Sequence, residues 1–185
     1  LAVIGAALGT LSSATILAAG GRSDFHRTWF VPYGEIHLAL DPLSSAFLLP
    51  ILALSALASI YAVGYLKDRS EGQVRQAIFF FHVLAISMCV VVTAKNAILF
   101  LLAWETMAIS SFFLVMLDGH RPDVRRAGWM YLVATHIGTA FLLVLFAWMG
   151  HAAGSFDFDR WMNLPDVGAR TLSIWFILAI VGFGA

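Results

Sequence analysis

Apolar runs and short polar connections alternate six times along this chain, and the apolar runs are long enough to predict membrane-crossing helices rather than strands. They cover about 1–19, 42–66, 75–94, 96–117, 127–149 and 171–185, and the last is truncated at roughly 22 Å of helical rise. Gly20-Gly21 closes the first. Asp41-Pro42 opens the second with a capping acid and a proline at the first helical position, and Pro50 predicts a kink inside it. Almost nothing separates the third run from the fourth, so those helices are antiparallel neighbours. Asp118-Gly119-His120-Arg121-Pro122-Asp123 reads as a turn that ends one helix and starts the next. The longest polar interruption is Arg22 to Leu40. Within it Trp29 to Val31 and Ile36 to Leu38 flank Pro32-Tyr33-Gly34-Glu35, which predicts a small hairpin over 28–40 on the membrane surface.

The expectation is an all-α polytopic membrane protein. Composition agrees: 61% hydrophobic residues and 12% charged, with a mean hydropathy of +0.86, exclude an ordinary soluble domain. The net charge is zero and the cations are scattered through loops, which excludes a nucleic-acid partner. Cys89 is alone, so no disulfide forms within the chain and no thiolate metal site can be built. Leu1 opens in the middle of an apolar run and the last run stops short, so the sequence reads as one truncated module, 1–185, of a longer protein. Lys67, Arg69, Arg75, Arg121, Arg125 and Arg126 crowd the two short loops after the second and fourth runs, which predicts that side as cytoplasmic.

Against this background Glu105 stands out. It lies nine residues into Asn96 to Leu117, roughly 13 Å deep, where an ionised carboxylate must be paired, protonated or set against water. No Lys or Arg lies deep in any apolar run, so a counter-cation within the chain is His82 or His136. His136 sits near the midplane within Thr135-His136-Ile137-Gly138-Thr139. It can be a packed histidine, a proton relay or a haem ligand, the last jointly with His82. Glu105 reads as a proton-handling group or a protonated structural acid. His82, Thr135 and Thr139 are secondary polar candidates, Thr135 and Thr139 joining Ser110 and Ser111 as possible water holders. Leu101, Leu102, Ala108, Ile109 and Phe112 form an apolar collar around the acid. His26 and His37 are read as solvated loop histidines rather than a metal pair. Gly182 and Gly184 suggest a weakened or broken last helix. Neither a Ser/His/Asp constellation, nor a phosphate-binding Gly-rich loop, nor a Cys cluster is present. Bond-breaking and electron transfer therefore belong to other chains.

The runs LFLLAWETMAISSFFLVML and RRAGWMYLVATHIGTAFLLVLF, with LDPLSSAFLLPILALSALASIYAVGYL upstream, resemble the antiporter-like, proton-conducting membrane subunits of respiratory complex I and its relatives. His136 and Thr139 match the hydrogenase-4 and formate hydrogenlyase branch, where the large complex I subunit carries Arg and Asp. The resemblance implies proton translocation through Glu105 and a lysine that follows the GFGA run at Ala185, with His136 in support. It also implies that this chain has no cofactor of its own and sits in the inner (plasma) membrane. Its partners would be further membrane subunits, the bilayer, and a peripheral hydrogenase or dehydrogenase arm carrying Ni-Fe and Fe-S centres. A subunit of a multisubunit Na+/H+ antiporter is the alternative the same fold allows.

Overall fold

The computed structural model describes residues 2–30, 34–162, 164 and 167–184. Its elements in order are α1 (Ala2–Ala19), β1 (Ser23–Thr28), β2 (Glu35–Leu40), α2 (Pro42–Tyr65), α3 (Glu71–Thr93), α4 (Ala97–Val115), α5 (Pro122–Ala153), the single turn α6 (Phe158–Trp161) and α7 (Ala169–Gly184). Among the described residues α2, α3, α4 with its 3-10 extension, and α5 are long and apolar enough to cross a membrane, while the apolar helices α1 and α7 are shorter. The chain is a multi-pass membrane protein.

Local chemistry sets the helix ends. Asp41 caps α2 by accepting from the Ser44 amide at 2.7 Å, and the helix continues through Pro50. Ser70 and Gln73 form a reciprocal capping box at the start of α3. The Asn96 side chain accepts from the amides of Ile98 and Leu99, so two otherwise orphaned donors at the head of α4 are satisfied. Pro122 opens α5, and Gly154, with φ +65°, ends it in the left-handed conformation that glycine adopts without penalty.

The helices pack in chain order, α1 on α2, α2 on α3, α3 on α4, α4 on α5 and α5 on α7. Lipid tails are as apolar as the side chains, so close contact rather than water exclusion holds such pairs together. Gly182 shows this: a Cβ there would lie 2.6 Å from Leu142 Cδ2, and Leu142 is fully buried. The two glycines near the end of α7 do not break it over the described residues, since the helix runs on through Gly184.

The hairpin is displaced from its expected place. Its strands are Ser23–Thr28 and Glu35–Leu40, antiparallel, with His26 opposite His37. Trp29 and Phe30 lie in the connection rather than in a strand, while Val31, Pro32 and Tyr33 fall outside the described residues. Backbone pairing then extends beyond the hairpin. The Lys95 amide donates to the His37 carbonyl at 2.8 Å, the Ala97 amide to the Phe156 carbonyl at 2.8 Å, and the Phe158 amide to the Lys95 carbonyl at 2.8 Å. The tight turn between α3 and α4 is thereby held between the hairpin and the segment preceding α6.

Candidate functional site

Helices α4 and α5 bring the two predicted membrane-interior groups together. His136 Nε2 lies 3.3 Å from Glu105 Oε2, within ion-pair distance and at the long end of hydrogen-bond reach. The other ring nitrogen is fixed. His136 Nδ1 stands 2.8 Å from the Leu132 carbonyl, which can only accept, so Nδ1 carries a hydrogen and Nε2 is left to exchange one with Glu105. Two neutral arrangements follow, imidazolium with carboxylate and imidazole with carboxylic acid, and they differ by one proton moved between Nε2 and Oε2. Among the described residues no lysine or arginine pairs with Glu105.

Aromatic side chains pack on the hairpin side of this pair. Trp104, beside Glu105, stacks on Phe100 at 5.7 Å between ring centroids and meets Phe183 edge-on at 5.7 Å. Phe100 in turn touches Phe146 and Phe158, and Phe146 touches Trp161. Beneath these rings lies the buried cluster Ala97, Leu145, Phe146 and Trp175, which seats the hairpin end of α4 against α5 and α7. Of the expected collar, Ala108 and Phe112 are buried but Leu102 and Ile109 are exposed.

The remaining polar candidates behave differently. Thr135 donates to the Tyr131 and Leu132 carbonyls, Thr139 to that of Thr135, and Ser110 to that of Thr106. Each hydroxyl hydrogen is therefore committed to its own helix, and the oxygens remain as acceptors. His82 stays apart from the pair. Its Nδ1 faces the Ile78 carbonyl at 2.7 Å, and its ring lines clefts between α2 and α3. With His136 committed to Glu105 and His82 facing α2, the structure does not assemble a bis-histidine haem site.

Sequence reasoning did not anticipate the polar network at the hairpin end. His37 is not a solvated loop histidine. Its side chain is only 14% exposed and lies between Asp157 at 3.4 Å and Asp24 at 3.7 Å. His26 is bonded to Glu35 at 2.6 Å, and among the described residues no cluster has metal-ligand geometry. Lys95 meets Asp41 at 2.8 Å, while Arg22 reaches both Asp24 and Asp159. Burial works against the Asp41 carboxylate, but hydrogen bonds from Lys95 and Ser44 outweigh it and hold the group down at about 2. At the opposite end Arg69 forms an ion pair with Asp118.

Comparison with known proteins fits this geometry. Residues 94–185 match the family described as NADH:quinone oxidoreductase/Mrp antiporter, transmembrane, and residues 33–80 match the complex I chain 5 N-terminus. This chain belongs to the antiporter-like membrane subunits. It is 36% identical over 160 residues to an uncharacterized protein of Mycobacterium tuberculosis, covering 86% of this chain and 24% of that one. Hydrogenase-4 component B of Escherichia coli is 31% identical over 154 residues, 83% of this chain and 22% of that protein. The chain thus spans less than a quarter of the length of these relatives. The solved Mrp complex of a Dietzia species superposes with a TM-score of 0.82 at 24% identity, covering 96% of this chain and 20% of that one, which establishes the antiporter-like fold.

Proposed function

We propose that this chain is the part of a proton-translocating subunit that carries its intramembrane acid, within a respiratory-type oxidoreductase of the hydrogenase-4, formate hydrogenlyase or NADH:quinone oxidoreductase kind. The observation that carries the reading is the Glu105–His136 contact between two membrane helices. A carboxylate there is costly unless a partner neutralises it, and this partner can itself carry the proton. In this reading Glu105 accepts a proton from its surroundings, His136 Nε2 holds or returns it, and a lysine on the following helix of the full protein draws it onward. Redox chemistry in partner subunits bearing Ni-Fe and Fe-S centres drives the cycle. The complex sits in the inner membrane with a peripheral hydrogenase or dehydrogenase arm.

The 31% identity to a hydrogenase component favours the redox-coupled reading. The Mrp-like fold favours a second one, a subunit of a multisubunit Na+/H+ antiporter with no redox partner. Purifying the full-length protein with its companions and identifying them by mass spectrometry separates the two. The proton role is tested in proteoliposomes holding the purified complex. Glu105→Gln is expected to lower proton translocation by at least about tenfold, and His136→Gln by a smaller factor, with the complex still assembled. Translocation at the normal rate in Glu105→Gln overturns the assignment.

A further inference from the structure

A groove between α2 and α3, away from the Glu105–His136 pair, plays no part in the reading above. Its larger section is a cleft of about 540 Å³ whose walls include Tyr61, Tyr65, Ile78 and Phe81, with Leu114 and Leu117 from the end of α4 and its 3-10 extension, and His82 toward its deep end. Ser59, Phe81 and His82 also line a second cleft of about 370 Å³ that continues the groove along the helices past Leu52 and Cys89. His82 stands eleven residues beyond Glu71, roughly 16 Å along the helix, so the larger section runs from the membrane surface to about the midplane, the depth of one leaflet.

At the surface the groove opens into a small cleft lined by Leu66, Lys67, Arg69, Glu71, Val74 and Arg75. Arg69 is taken up by Asp118 and lies over the Tyr65 ring. Lys67 and Arg75 are exposed and have no ion-pair partner among the described residues. Glu71 stands on the same rim, and Asp68 lines neither this mouth nor the apolar cleft. An apolar channel one leaflet deep, with paired tyrosines near its rim and two unneutralised cations at its mouth, matches a lipid's polarity profile.

We propose that this groove binds a membrane phospholipid with an anionic headgroup. Its phosphate sits between Lys67 and Arg75, and one acyl chain lies along Tyr65, Ile78 and Phe81 toward His82. The site is independent of whether Glu105 moves protons.

The test uses the full-length protein in its complex, placed in nanodiscs with phosphatidylglycerol or phosphatidylcholine carrying a photoreactive diazirine in one acyl chain. Cross-linked peptides are then mapped by mass spectrometry. Phosphatidylglycerol is expected to label peptides containing Tyr61 to Lys67 and Ile78 to His82 several-fold more than phosphatidylcholine does. Lys67→Gln/Arg75→Gln is expected to remove that several-fold preference and bring labelling down to the phosphatidylcholine level. Both positions are exposed, so folding should survive. Equal labelling by the two lipids, unchanged in the double variant, overturns the proposal by showing annular lipid only. Labelling elsewhere in the protein but not on α2, α3 or residues 114–117 at the end of α4 also overturns it, since the groove would then be covered by protein.

Discussion

A histidine with Nδ1 tied to its own helix leaves Nε2 facing outward, and on α5 that nitrogen faces an acid on α4. The pairing was legible in the sequence because no lysine or arginine lies deep in an apolar run, which left two histidines as the cations within reach of Glu105. Choosing between them requires helix phase. Phe80 stacks on Phe113 of α4 at 4.4 Å, and His82, two residues on, is turned about 200° away from that contact. The Lys95–Asp41 bridge joins residues 54 apart, and nothing in the local pattern announced it. It carries a prediction about acid. The folded-state value of Asp41 is about 2, below the ordinary carboxylate value near 3.9, so its contribution to stability is complete above about pH 4 and is lost as the pH falls through about 2. Asp41→Asn keeps a capping side chain but removes the charge. It is expected to cost about 1.5 kcal/mol near neutral pH, with the variant and the natural protein converging in unfolding midpoint toward pH 2. A gap that stays constant down to pH 2 would assign the loss to the cap rather than to the ion pair.

At the scale of elements, the helices were legible and their irregular partners less so. Long apolar runs with a capping Asp or Asn and a proline at the first position leave little choice of structure, and α2, α4 and α5 start where those residues sit. The first hairpin strand, Ser-Asp-Phe-His-Arg-Thr, has almost no apolar alternation to reveal it. It is held by backbone pairing and by the ion pairs of Arg22, Asp24 and His37 instead. The glycines of α7 are ambiguous in sequence for a different reason. A glycine can mark a break or a close approach, and the two look alike until the facing helix is known. At Gly182 the facing atom belongs to Leu142, which is fully buried. Gly182→Leu should therefore force α5 and α7 apart, at a cost of about 1–3 kcal/mol, and lower the thermal midpoint of the purified full-length protein. Gly184 has open space at its Cβ position, so Gly184→Ala should leave that midpoint nearly unchanged. Equal sensitivity at the two positions would contradict the close-packing reading and favour a requirement for flexibility at the end of α7.

The molecule as a whole has two unlike ends, and contacts fix which loops share each. Arg69 with Asp118, together with Gln73 donating to the Leu117 carbonyl, joins the α2–α3 loop to the end of α4. Lys95 with Asp41, Asn96 with Asp157, and Arg22 with Asp159 join the hairpin, the α3–α4 turn and the segment before α6 at the other end. The sidedness within the molecule is thus set by structure, and cation density adds the direction. Six lysines and arginines sit in the two short loops of the first end and in the helix turns beside them, so that end is expected in the cytoplasm. In a full-length protein whose cysteines, Cys89 among them, have been replaced by serine, Ser70→Cys should react with a membrane-impermeant maleimide only after the membrane is opened, and Ser23→Cys should react in intact cells. The reverse pattern would invert the molecule. The aromatic rings of Phe100, Trp104 and Phe146, which pack toward the hairpin end from the Glu105–His136 pair, would then lie on its cytoplasmic side instead of its outer side. The same experiment therefore fixes both the orientation of the chain and the side of the Glu105–His136 pair on which those rings lie.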